Sequence, residues 1–432
     1  MGMFEMAALQ PGRKRDGLGR LVERRGDTRL PTLRSSQSGM SAHLWELELV
    51  PAIALARLNH DIGALSERAL DQNIFFEPTV LRAAWPRLTS LLAPHGVWMA
   101  CLWQSGEDNR ALRLFMPIRI HKVGLPRKTV LQPLSNQFMP IGTPLIDAEY
   151  AGEACETLLR LLSDPDLNLP DILDLAFQRT DSASTRALIA AANSLGLSNS
   201  TYNSHQRAAL LSKNNGEGKN ATGLSKKHLR ELARQFRKLE EKGETRFEIA
   251  RSQNRVLDSV EEFLTLELSG WKGRKGTALY NHKRIAAFSR QIVAELAMNK
   301  NCEIVSLKHS GKTIAALILL GREGRFVAWK IAFDETMSAY SPGMQVMVKA
   351  TQDLLERKQF LEADSLAVPN HQMMNRVWPE RLAMTDMAIA LTPEADQNID
   401  QLIAAKSRLQ DWKLLTKNAL RRTRMFHRIL GR

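Results

Sequence analysis

The stretch from Glu303 to Arg357 constrains the fold more than any other. Three apolar runs, Glu303–Lys308, Thr313–Leu320 and Arg325–Phe333, are separated by the short turns HSG and GREG. Connections this short and Gly-bearing leave room only for antiparallel neighbours. The sequence SPG follows, and from about Met344 to Arg357 the apolar spacing is that of a helix. Pro342 suits the first turn of a helix, where a missing N–H loses no partner, and Gly343 lets another group come close to the backbone. The N–H groups of Gly343, Met344 and Gln345 then point out of the helix end. With the helix dipole they form a site suited to an anion.

The flanking sequence extends this unit. Ser225 is a plausible N-cap for a helix ending before Gly243, with Leu229, Leu232, Phe236 and Leu239 on one face. A strand is expected at Thr245–Ala250, a helix at Val256–Leu268, and a second helix near Lys283–Met298. Beyond the SPG helix come a strand at Glu362–Leu366, a short helix after Pro369 and a last strand near Met387–Leu391. The first half repeats the grammar, with a helix at Pro78–Leu92, a strand at Val97–Trp103, a polar turn at Gly106–Asn109 and a strand at Leu112–Ile120. The expected fold is therefore α/β (α+β), in two related halves of mixed, mostly antiparallel sheet flanked by helices. The expected boundaries are a disordered Gly-, Arg- and Ser-rich segment at 1–39, domains at 40–211 and 224–395, a linker at 212–223 and a basic helical tail at 396–432.

Four segments within residues 222–380 carry a family resemblance. They are SKKHLRELARQFRKLEEKG, FLTLELSGWKGRKGTAL, ALILLGREGRFVAWKIAFDETMSAYSPGMQVM and ADSLAVPNHQMMNRVW. In this order they resemble the CelD/BcsL-type (BioF2-like) acetyltransferase domain of the GNAT superfamily, found in bacterial polysaccharide loci. That family often carries a degenerate GNAT-like N-terminal half. The resemblance implies an acyl-CoA donor, acetyl-CoA first, with no metal and an amine or hydroxyl acceptor. It implies a thioester lying along the Arg325–Phe333 strand, with Phe333, Ser341, Gly343, Met344 and Gln345 around the donor. Glu267, Trp271, Lys272 and Trp329 are the expected acceptor-side residues, the first three in a Gly-rich loop that would close over substrate. His371 with Asp364 is the expected base and its orienting carboxylate. One departure stands out: where many relatives have a Tyr-Lys pair before the Trp corresponding to Trp378, this chain has Met374-Asn375. The acceptor, and the residues that act on it, therefore differ from those of the polysaccharide enzymes.

Charge and cysteines narrow the alternatives. The net charge is +14, of which residues 1–39 carry +4 and residues 401–432 carry +8. The body is close to neutral, which argues against a nucleic-acid groove on the folded face. It also argues against the runner-up, a Fem-type transferase using charged tRNA; a degenerate, non-catalytic GNAT scaffold is the other alternative. The basic tail is compatible with contact to a membrane surface or an acidic partner. SGKT at Ser310–Thr313 has strands on both sides and Ser306 where a P-loop needs its first Gly, so it reads as a hairpin turn. Three widely spaced cysteines, Cys101, Cys155 and Cys302, suggest neither a disulfide framework nor a zinc site. With no apolar run of about 18 residues and no secretory leader, the expected location is the cytoplasm.

Overall fold

Apolar runs bounded by Gly turns do become strands, and they join into one sheet. The computed structural model describes residues 33–38, 44–85, 87–88, 96–106, 109–212 and 222–430. In chain order the strands are β1 (Leu33–Ser38), β2 (Leu44–Pro51), β3 (Trp98–Ser105), β4 (Arg110–Val123), β5 (Lys128–Pro133), β6 (Leu145–Ile146) and β7 (Ile172–Arg179). They continue as β8 (Asn199–Leu211), β9 (Thr245–Ala250), β10 (Cys302–His309), β11 (Lys312–Arg322), β12 (Arg325–Phe333), β13 (Glu362–Asp364) and β14 (Glu380–Ala390). The order across the sheet is β1-β2-β3-β4-β5-β7-β14-β8-β13-β12-β11-β10-β9, with β6 beside β4. Among the described residues β5–β7 and β12–β13 pair in parallel and the other neighbours are antiparallel.

The order shows two like halves that have exchanged a strand. One half reads β2-β3-β4-β5-β7 and then takes β14 from the end of the chain. The other reads β9-β10-β11-β12-β13 and then takes β8 from the first half. In both, an antiparallel meander is followed by one short parallel pair. The fold is thus the expected mixed α/β arrangement of tandem GNAT-like halves. The division at 212–223 separates them along the chain but not in space, because β14 lies between β7 and β8. Residues 213–221 of the expected linker lie outside the described residues, as do residues 1–32 of the segment expected to be disordered. Leu33–Ser38 of that segment is instead an edge strand paired with β2.

Helices cover both faces, and the apolar spacing of each explains where it lies. Ser225 caps the Lys226–Glu240 helix, its Oγ accepting from the His228 N–H at 3.3 Å. Leu232 and Leu239 of that helix pack with Val346, Met347 and Ala350 of the Pro342–Leu355 helix on one face of β10–β12. The Gln253–Ser269 and Lys283–Met298 helices cover the other face through Val260, Phe263, Phe288 and Ile292. Each such side chain contributes about 1.5–3 kcal/mol on burial. The same core takes in Phe75, Phe76 and Phe138 from the first half. The Pro78 helix ends at Ala84 rather than Leu92, because Trp85 turns extended; residues 89–95 lie outside the described residues. Ser310 and Gly311, with φ of 50° and 78°, form the tight β10–β11 turn, so SGKT is a hairpin.

The C-terminal helix, Asp396–Leu430, is only partly a tail. Ile399 and Leu402 are buried against Val130, Ile172, Ala388 and Ala390, and Ala405 is buried beside Leu125, whose N–H donates to its carbonyl at 2.7 Å. Lys406 donates to both oxygens of the fully buried Asp174 carboxylate, at 2.7 and 2.8 Å. Further on, Trp412 and Leu415 are 55% and 68% exposed. No helix among the described residues is long and apolar enough to cross a membrane.

Candidate active site

The site is built on a defect in β12. Its pairing with β11 runs regularly from Arg325 to Ala328 and again from Lys330 to Phe333, but Trp329 has no residue opposite it. A bulge of this kind places two consecutive side chains on one face. Val327, Trp329 and Ala332 belong to the core under the Gln253–Ser269 helix, whereas Phe326, Ala328, Ile331 and Phe333 face the opposite core. Strict alternation resumes only if Trp329 and Lys330 point the same way, towards the first half. There the Trp329 indole N–H donates to the Phe138 carbonyl at 2.9 Å, and the Lys330 ammonium donates to the Gln137 carbonyl at 3.1 Å.

The bulge faces a split in the sheet. β12 pairs with β13 only from Arg325–Glu362 to Val327–Asp364. β12 then continues six residues further, while the chain after Asp364 turns away at Leu366, whose φ is 49°. Parallel strands that separate this way leave the Ala328–Phe333 backbone without a strand partner along one side of a wedge. At the mouth stands the Pro342–Leu355 helix. Ser341 occupies its N-cap position with φ 49° and makes no side-chain cap. Gln345 closes the first helical hydrogen bond, to the Ser341 carbonyl at 3.0 Å. The N–H groups of Gly343 and Met344 precede that bond and have no partner within the helix, and Gly343 itself is buried.

The structure revises what Gly343 and Gln345 do. A Cβ on Gly343 would stand 3.0 Å from the Phe333 ring. The Phe333 ring therefore packs against the Cα of Gly343. The Gln345 side chain is buried and donates to the Leu232 carbonyl at 2.8 Å, tying the helix start to the Lys226–Glu240 helix. It offers no donor to the wedge.

Glu267, Trp271 and Lys272 are positioned by a fixed loop rather than a free lid. SGWKGRKG forms a short helix, Trp271–Arg274. Gly273 is required in it, since a Cβ would lie 1.6 Å from the Leu268 carbonyl. The buried Glu267 carboxylate accepts from Lys272 at 2.7 Å and from the Leu279 N–H at 2.8 Å. Lys272 also donates to the Ile331 carbonyl on β12, at 3.1 Å. Glu335 accepts from the Trp271 N–H at 2.8 Å and from Arg274. Trp271 is half-buried under Lys275 and does not enter the core.

The expected His371–Asp364 pair does not form. Asp364 accepts from Arg207 at 2.9 Å and from the Leu366 N–H at 2.8 Å, fixing the turn that opens the wedge. His371 is the N-cap of the Gln372–Val377 helix, its Nδ1 accepting from the Met374 N–H at 3.3 Å. A neutral imidazole that accepts at Nδ1 carries its proton on Nε2, so neither nitrogen is available as a base. Burial, with the Lys272 charge adding to it, pushes the His371 pKa below its ordinary value and keeps the ring neutral.

Lys330 has the electrostatics expected of a working group. It is half-buried, over the rings of Phe138 and Trp329 at 5.4 and 5.7 Å from their centroids. Burial, with repulsion from Lys272, pushes its ammonium down to about 8, against the opposing pull of Glu267. Sequence reasoning passed over Lys330. The available signal was a lone cation inside the apolar run VAWKIAF, where period-two alternation breaks.

Residues 226–368 match the family model for the Acetyltransferase (GNAT) domain. No curated protein matches the chain significantly. Among solved structures it is similar to FemX, at 11% identity over 80% of this chain and 98% of that one, with a TM-score of 0.50. It also aligns with the C-terminal domain of a putative lysylphosphatidylglycerol synthetase from Agrobacterium fabrum, at 11% identity, 82% and 97% coverage and a TM-score of 0.49. A tandem GNAT protein from the clavulanic acid biosynthesis pathway aligns at 10% identity, 80% and 99% coverage and a TM-score of 0.38.

Proposed function

We propose, on the premise that residues 226–368 form a GNAT domain, that this chain transfers an acyl group from acyl-CoA to an amine or hydroxyl acceptor. The observation that carries the reading is the wedge between β12 and β13 with an uncapped helix start at its mouth. The wedge suits an extended chain lying along the Ala328–Phe333 backbone. The Gly343 and Met344 N–H groups suit the pyrophosphate of a CoA. Beyond Val327, where β13 no longer pairs with β12, a backbone N–H on that edge suits the oxyanion that develops as the thioester is attacked. The acceptor approaches from the first half, past Gln137 and Phe138, towards Trp329 and the Glu267–Lys272 pair. Holding both reactants across this junction provides most of the acceleration expected of direct transfer.

Acetyl-CoA is the donor this reading favours. Polysaccharide or cell-envelope acceptors follow only from the CelD/BcsL resemblance. Titration calorimetry with acetyl-CoA and CoA tests the reading: both should bind one site, and a charged tRNA should not compete. Absence of binding to either, or displacement by charged tRNA, overturns it.

A further inference from the structure

We propose that Lys330 is a catalytic residue, the group that takes the proton from the acceptor as it attacks. The proposal rests on the donor placement above, because it requires the thioester to lie along β12. Its own support is geometric. The β12 bulge puts Lys330 on the same face as Trp329, at the junction where an acceptor must enter. Its ammonium donates to an uncharged carbonyl, that of Gln137, and among the described residues to no carboxylate. An amine held by a neutral partner beside two aromatic rings can lose its proton without breaking an ion pair. The charged groups that bear on it are Lys272, which repels its proton, and Glu267, which retains it; these combine with burial to bring it to about 8. Neither partner bonds Lys330, since Lys272 and Glu267 bond each other. The imidazole of His371 caps a helix and leaves the role open.

The step balances. The acceptor N or O forms a bond to the acyl carbon, and its proton passes to the neutral Lys330 amine. The C–S bond breaks, the electron pair leaves on sulfur, and the Lys330 ammonium returns the proton to give the free CoA thiol. Lys330 ends neutral and ready for a second turnover.

The test uses the full chain, with acetyl-CoA as donor and water as acceptor, read as thiol release across pH 6–10. The expected wild-type rate rises with pH to a plateau, with a midpoint near 8. Lys330→Met should bind acetyl-CoA within about twofold of wild type, yet hydrolyse it about 100-fold more slowly, the scale of a lost general base. Lys330→Cys, aminoethylated with 2-bromoethylamine, restores a more acidic lysine analogue and should recover the rate with its midpoint moved to lower pH. The native thiols Cys101, Cys155 and Cys302 are buried, which favours reaction at position 330. An independent measurement is trace labelling with acetic anhydride, in which Lys330 should titrate near 8 and be shielded by CoA. Labelling that titrates at an ordinary lysine value of about 10.4 overturns the proposal. So does a Lys330→Met chain that binds acetyl-CoA and keeps the wild-type rate and pH profile. If wild type does not bind acetyl-CoA, the donor placement fails and this assignment fails with it.

Discussion

The indole N–H of Trp329, on the bulge of β12, donates 2.9 Å to the carbonyl of Phe138, so a buried hydrogen bond joins the two halves beside the proposed acyl site. Trp329→Phe keeps a ring against Phe288 but leaves that carbonyl without its donor. A loss of about 1–3 kcal/mol is expected, the usual consequence of stranding a buried acceptor. Denaturant unfolding measures it, and an unchanged midpoint would show that the junction holds without this bond.

Gly343 and Phe333 make a second checkable pair. Gly343→Val pushes into the ring 3.0 Å away and should weaken acetyl-CoA binding about tenfold or more by displacing the helix start. Phe333→Leu, added to it, should recover part of that affinity by making room. Calorimetry on the two single variants and the double gives the coupling directly. Simple additivity would place the effect somewhere other than this contact.

His371 should behave as a cap. His371→Asn preserves an N-cap acceptor, so both the thermal midpoint and turnover should stay near wild type. His371→Ala should lower stability by about 1 kcal/mol with little change in turnover of the folded chain. A 100-fold loss of turnover in the Asn variant would restore the histidine to the chemistry.

If Lys330 is the base, Glu267 should set the pH profile by its sign. Its negative charge holds the Lys330 proton on, working against burial and Lys272. Removing that charge in Glu267→Gln makes deprotonation easier, so the rising limb of activity should move to lower pH. Rate profiles of the two proteins across pH 6–10 decide the matter; a limb shifted to higher pH contradicts the assigned polarity.

Lys406 tests whether the last helix is dispensable. Asp174 is fully buried, and Gln132 and Tyr202 also bond it. Lys406→Met should therefore cost about 3 kcal/mol, the lower end for breaking a buried pair. A chain ending at residue 411 should match wild type, and one ending at 400 should be far less stable in a thermal scan. Equal midpoints for the two truncations would show that the packing of Leu402, Ala405 and Lys406 contributes little.

Much of the second half was legible because its signals are local. Thr245–Ala250, Lys283–Met298 and Arg325–Phe333 fall where apolar spacing and Gly turns place them. Glu267 and Lys272 could be singled out from the Gly-rich loop, but not the ion pair between them, which depends on how that loop folds. What remained hidden depends on partners distant in sequence. The His371–Asp364 pairing failed because Arg207, more than 150 residues away, holds the carboxylate. The reach of Lys330 to Gln137 likewise depends on a junction that periodicity within either segment cannot encode. The charge of the C-terminal helix suggests a tail and masks the buried Ile399, Leu402 and Ala405 near its start.

The position of β14 between β7 and β8 has a consequence for synthesis. When residues 33–211 have left the ribosome, the strand that joins β7 to β8 is still almost 170 residues from being made. The nascent first half therefore waits with unpaired strand edges, the kind of surface that recruits other strands. Slow elongation through the second half should raise aggregation of the newborn chain, and either half expressed alone should be poorly soluble. Co-expression of the two pieces, split within residues 213–221, should restore solubility because each supplies the strand the other lacks.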